Sequence, residues 1–217
     1  GSEAGAIYGE SSVRFSAIEL IAAARSEVIL TSPYFIPGRE GIELFQDLTS
    51  RGVRVQIITN SLASTDQPLV HGAYRRYRLA LLRAGVELYE LSPKWIGSVR
   101  QSKTLGVVAG WLHTKSLVID RETVIVGSMN FDPRSDHFNT ESAIVVRSAE
   151  LSREVAQLAR ISSLEGAHRL QLVQGDQLLW VEPATDTSPP HTSEPEASLW
   201  MRMWLRVLST FAPESLL

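Results

Sequence analysis

Residues 113–130 read HTKSLVIDRETVIVGSMN. SLVID and TVIVG are short β-branched runs around Arg121-Glu122, the pattern of a hairpin of two buried strands. His113 and Lys115 stand two residues apart, so in an extended segment they point to the same side. Ser128 and Asn130 repeat that spacing after the second strand, and the hairpin brings both pairs to one end of a sheet. An imidazole, an ammonium, a hydroxyl and an amide then converge on a small volume. With no thiolate, and with Asp120 as the one carboxylate among the six motif residues, the set does not suit a metal. It suits a phosphate: donors around a group that can attack phosphorus or carry a proton. Asp120 closes a strand beside a turn, where a structural role is expected.

The spacing H-x-K-x4-D-x6-G-S-x-N fixes six identities, including Gly127. It should arise by accident on the order of a few times per million chains of this length. The segment resembles the HKD motif of the phospholipase D superfamily. The following FDPRSDHFNTE, together with SPYFIPG (32–38), GVRVQIITNSLASTD (52–66), VHGAYRRYRLALLRAGVELYEL (70–91) and the tail EPEASLWMRMWLRVLSTFAPESLL, resembles bacterial cardiolipin-synthase-like members of the C type. The resemblance implies that one HKD histidine attacks the phosphodiester phosphorus to give a phosphohistidine and a second protonates the leaving alcohol. An alcohol or water then takes the phosphoryl group. It implies phosphate-oxygen binding by Lys115 and Asn130, a place for Ser128 in the catalytic set, and Glu141 as the carboxylate that orients the histidine. No cofactor and no metal is implied.

That chemistry needs two HKD motifs, and H-x-K occurs once here, at His113. The resemblance is to the C-terminal half of a two-motif enzyme. The second motif is therefore expected from an upstream half or, alternatively, from a homodimer mate. Gly1-Ser2 reads as a cloning remnant, which favours the half-enzyme. The implied partners are an anionic phospholipid and a membrane surface, and the implied place is the bacterial cytoplasm, peripheral at the inner membrane. The alternatives are a homodimeric nuclease and an inactive half-enzyme.

Composition narrows the classes. The 217 residues carry a net charge of −3, which argues against nucleic acid as partner. The absence of cysteine removes disulfides and thiol catalysis. No apolar run is long enough to span a bilayer. Seven Lys or Arg between Val70 and Thr104, against Glu87 and Glu90, suggest a basic face toward a headgroup.

The remaining pattern alternates helices and strands: helix 12–25, strand 28–31, helix 41–50, strand 53–59, helix 70–83, strand 86–91, strand 141–146 and helix 149–164. The expected fold is α/β, a phospholipase D-like mixed sheet flanked by helices on both faces. Residues 1–169 form the HKD domain, with a weakly patterned loop at 92–110. Residues 170–217 form a tail: a hairpin at Gly175-Asp176, a Pro-rich linker at 183–195 and an amphipathic helix. Tyr34, Phe35, His71 and Arg134 are expected to line the substrate groove, and Asn60, Ser61 and Thr65-Asp66 to cap the helix of His71.

Overall fold

The computed structural model describes residues 13–94, 107–108, 111–132, 142–183 and 187–211. Three parallel strands, β1 (Glu27–Thr31), β2 (Arg54–Asn60) and β3 (Glu87–Leu91), form the centre of an eight-stranded mixed sheet. Helices α1 (Val13–Ala22), α2 (Gly38–Ser50), α3 (Pro68–Tyr74) and α4 (Arg78–Arg83) come before or between them. The expected hairpin, β6 (Ser116–Ile119) and β7 (Thr123–Gly127), joins antiparallel to β1, and β8 (Ala143–Arg147) closes that edge. A two-residue pair, β4 (Val107–Val108) with β5 (Trp111–Leu112), precedes it. Helix α5 spans Ala149–Glu165.

The parallel strands are apolar on both faces, as strands covered on both sides must be. Val28, Leu30, Val55, Ile57, Leu88, Leu117 and Ile125 pack under α1, α2 and α4 in one core. Ile29, Ile58, Tyr89, Val118 and Val124 pack against Ala156 and Ala159 of α5 in the other. Helices thus flank both faces, as expected.

The 170–217 tail differs from expectation. Strands β9 (Ala167–Val173) and β10 (Gln177–Val181) extend the same sheet beyond β3, so a boundary at 169/170 falls inside a strand. The described part of the linker is packed too: His191 exchanges backbone hydrogen bonds with Trp180, and Glu194 is buried. The helix expected over 70–83 is broken by a 3₁₀ turn at Arg75–Tyr77. Helix α6 (Leu199–Phe211) seats Leu205 against Leu62 and Ala197, while Leu199, Trp200, Met203, Trp204 and Val207 remain exposed. No described helix is long and apolar enough to cross a membrane.

Gly127 sits where β7 and β8 come closest. A Cβ there would lie 2.2 Å from the Ser142 carbonyl oxygen and 2.8 Å from Ala143 Cα, both backbone atoms. Gly127→Ala must therefore push the edge strand away. Urea unfolding should show a loss of about 2–3 kcal/mol, the scale of overpacking. A loss under about 0.5 kcal/mol, the scale of neutral surface changes, would contradict this.

Candidate active site

The site lies where β1 and β2 end and β6 begins. His113 and Lys115 occupy the three-residue entry to β6; His113 is exposed, and the Lys115 ammonium donates to the His113 carbonyl at 3.1 Å. The pairing of Ser116 with Val126 carries the end of β7 to the same edge, where Gly127 N–H donates to Lys115 C=O at 3.4 Å. Ser128 and Asn130 follow at once. The structure thus brings His113, Lys115, Ser128 and Asn130 to one edge of the sheet. Ser128 Oγ accepts from Ser142 N–H at 3.1 Å, and its own N–H donates to Ser142 C=O at 2.9 Å. The hydroxyl is thereby engaged in tying β7 to the segment before β8.

The chain beyond Asn130 is held by the β1–α2 loop. Phe131 N–H donates to Ser32 Oγ at 3.2 Å, and Ile36 N–H donates to Phe131 C=O at 2.7 Å. Asp120 is at the opposite end of β6, where its carboxylate accepts from the N–H groups of Arg25, Ser26 and Glu27. Below Lys115 a mostly apolar cavity of about 30 Å³ reaches Ile21, Leu30 and Phe131, room for one water and not for a lipid.

Several expected residues stand elsewhere. Phe35 does not line a groove: it is 1% exposed, stacked among Phe45, Tyr74 and Phe131 in the core. His71 is 4% exposed and lies beneath the tail, its Nε2 2.8 Å from Arg78 Nη2 and 3.2 Å from Glu194 Oε1. Tyr34 turns its hydroxyl to Asp66, donating at 2.8 Å. Glu141 and Arg134 lie outside the described residues. The basic face is depleted as well. Arg78 is buried and bonds Glu90 and Glu194 at 2.7 and 2.6 Å, and Arg83 pairs with Asp176. Burial pushes the Glu194 carboxyl up, but His71 and Arg78 outweigh it and hold that carboxyl well below the usual range. Among the described residues, no three His, Asp or Glu are grouped to hold a metal ion.

Asn60 does not cap α3, which has no side-chain cap. Its buried amide reads the backbone of Leu112, the residue before His113: Oδ1 accepts from Leu112 N–H at 3.0 Å and Nδ2 donates to Leu112 C=O at 3.3 Å. An Asn at the end of a sheet-centre strand was the available signal; its partner 52 residues away was not readable.

This arrangement is that of a phospholipase D-like domain. The family described as "Cardiolipin synthase, PLD-like domain" matches residues 17–160, and the chain belongs to it. Cardiolipin synthase C of Escherichia coli (strain K12) is 36% identical over 205 residues, 92% of this chain and 42% of that protein. Cardiolipin synthase A of Yersinia pseudotuberculosis is 29% identical over 164 residues, 73% of this chain and 30% of that protein. The chain thus spans less than half the length of these relatives. Two solved structures share the fold. Nuc, a phospholipase D family member from Salmonella typhimurium, superposes with TM-score 0.56 at 18% identity, covering 75% of this chain and 93% of Nuc. The phosphatidylserine synthase of Haemophilus influenzae superposes with TM-score 0.58 at 11% identity, covering 91% of this chain and 42% of that one.

If the Asn60 clamp positions His113, Asn60→Ala should lower kcat about tenfold to a hundredfold in the complete enzyme while KM moves little. Asn60→Asp, which keeps the acceptor for Leu112 N–H, should recover part of the loss. Steady-state kinetics with both variants checks this; a change confined to KM would rule the positioning role out.

Proposed function

We propose that this chain supplies one HKD half of a site that transfers a phosphatidyl group between alcohols by way of a phosphohistidine, as a cardiolipin-synthase-like enzyme acting on anionic phospholipid. The observation that carries this is the placement of His113 and Lys115 beside Ser128 and Asn130 on one sheet edge, in a chain 36% identical over 92% of its length to a cardiolipin synthase. The histidine of the second HKD segment attacks phosphorus. The bond from phosphorus to the leaving oxygen breaks, and the His113 imidazolium gives that oxygen its proton. In the return step neutral His113 takes the proton of the acceptor alcohol as its oxygen displaces the histidine from phosphorus. Lys115 and Asn130 hold the non-bridging oxygens, where charge builds up. Glu141 orients the His113 ring, as carboxylates behind catalytic imidazoles do. Ser128, through its bonds to Ser142, keeps the frame.

An exposed apolar strip supports a partner at this edge. Val126 and Ile144 are cross-strand neighbours at the catalytic end of β7 and β8, side by side on one face, and both are exposed. A second HKD segment would cover them. The exposed face of α6, with Trp200 and Trp204, suits an interfacial seat on a bilayer and would make the enzyme peripheral.

A homodimer would use the same strip, so oligomeric state and turnover must be measured together. Light scattering should find no tight dimer, and this chain alone should not turn over phosphatidylglycerol. An upstream HKD half should restore turnover with EDTA present, and His113→Asn should then abolish it, by about a thousandfold or more. A tight dimer with strong activity alone, or a His113→Asn enzyme within about tenfold of wild type, would overturn the proposal.

A further inference from the structure

A second polar cleft opens at the opposite end of the sheet, where β1, β2 and β3 begin. It encloses about 610 Å³ between the sheet and α5. The length of β1, five residues or about 16 Å of extended chain, separates it from the His113 edge. Five arginines line it (Arg54, Arg121, Arg153, Arg160 and Arg169) against two carboxylates, Glu27 and Glu87, an excess of three positive charges on a chain of net charge −3.

Both carboxylates are already engaged. Glu27 accepts from Arg54 at 2.9 Å and from Arg121 at 2.7 Å. Glu87 accepts a bidentate pair from Arg54 at 2.9 and 2.7 Å. Burial pushes Glu27 up, but those guanidinium bonds hold it below its ordinary range. The bond from Arg54 has the same effect on Glu87 against burial. Arg54 and Arg121 are therefore neutralised.

The other three arginines are not neutralised in this way. Arg153 and Arg160 lie seven residues apart on α5, two turns along one helix face. Neither makes a side-chain hydrogen bond or ion pair among the described residues. Arg169 stands on β9 opposite Tyr89 and acts on Glu87 through its field alone. On the cleft floor Gln56, 3% exposed as a residue, makes no side-chain hydrogen bond among the described residues. Its amide atoms are not among the buried polar atoms left without a partner, so they open to the cleft, where a ligand or water can complete them.

We infer that this cleft binds a phosphate-bearing anion, with Arg153, Arg160 and Arg169 as its charged donors and Gln56 as a neutral donor beneath. Planar guanidinium forks match phosphate oxygens, and hydrogen bonds of this kind are the strong ones. The same chemistry describes a free phosphate ester and a phospholipid headgroup. The site goes beyond the proposed transfer reaction and does not depend on it, since none of its residues belongs to the HKD set.

Calorimetry on the full chain at low salt tests this with four probes: inorganic pyrophosphate, glycerol phosphate, vesicles of phosphatidylcholine, and the same vesicles containing phosphatidylglycerol. Binding of a soluble probe identifies a free anion as the ligand class. Binding that needs phosphatidylglycerol vesicles identifies a headgroup. In either case Arg153→Ala with Arg160→Ala should weaken binding at least about tenfold. Both arginines are exposed on a helix, so the circular dichroism of the double variant should be unchanged. Gln56→Met should weaken binding by a smaller factor. His113→Asn with Lys115→Ala should leave it unchanged, which separates this cleft from the catalytic phosphate site. No binding to any probe, equal binding to both kinds of vesicle, binding indifferent to the arginine pair, or binding lost with His113 and Lys115 would each overturn the inference.

Discussion

The Asp120 carboxylate accepts from Ser26 N–H at 2.7 Å, Ser26 Oγ at 2.9 Å, Glu27 N–H at 3.0 Å and Arg25 N–H at 3.0 Å, and so fastens the end of β6 to the start of β1. That clamp sets the register in which Ile119 faces Val28 and Ser116 faces Thr31. A slip of one residue would turn every β6 side chain to the other face of the sheet. His113 and Lys115, counted back from Ser116, would turn with them. Burial pushes Asp120 up, but the backbone N–H groups of Glu27 and Ser26 outweigh it and hold its carboxyl below the ordinary value. Its stabilisation is present above the unfolded value, about 3.9, and is lost as pH falls through the lower folded value. Asp120 therefore guards geometry one strand-length from the proposed site.

At the His113 end of the sheet, too, backbone and amide contacts place the polar side chains. Gly127 lets β7 and β8 approach closely, Ser128 ties that junction to Ser142, and Asn60 grips the residue before His113. Farther along the sheet, buried Arg78 joins Glu90 of β3 to Glu194 of the tail, while Tyr74 and Trp180 complete Glu90 at 2.8 and 2.9 Å. Removing one partner from such a cluster leaves an uncompensated buried charge. The tail is for this reason part of the domain.

The β6–β7 hairpin was legible because its information is local: β-branched runs, a turn, and polar residues at period two. So were the central strands, whose buried runs are continuous. Apart from the 3₁₀ break at Arg75–Tyr77, the misreadings involve contacts distant in sequence. Phe35 follows a strand as a groove residue would, but its partner Phe131 lies 96 positions on. His71 and Arg78 look like a solvated basic helix until Glu194, more than a hundred residues away, covers them. The 175–176 hairpin was visible as a hairpin; that β9 would pair with β3 was not, because Tyr89 and Arg169 carry no local mark of their meeting.

If His113 acts on the leaving oxygen of a phosphodiester, as proposed, the cost of losing it depends on the leaving group. In enzyme completed with a second HKD half, kcat/KM of His113→Asn and wild type is compared on phosphatidylglycerol and on a p-nitrophenyl ester of phosphatidic acid, whose leaving group needs no proton. The expected result is a loss of about a thousandfold or more on the first and a loss near tenfold or less on the second. Equal losses on both esters, or none on either, would contradict it.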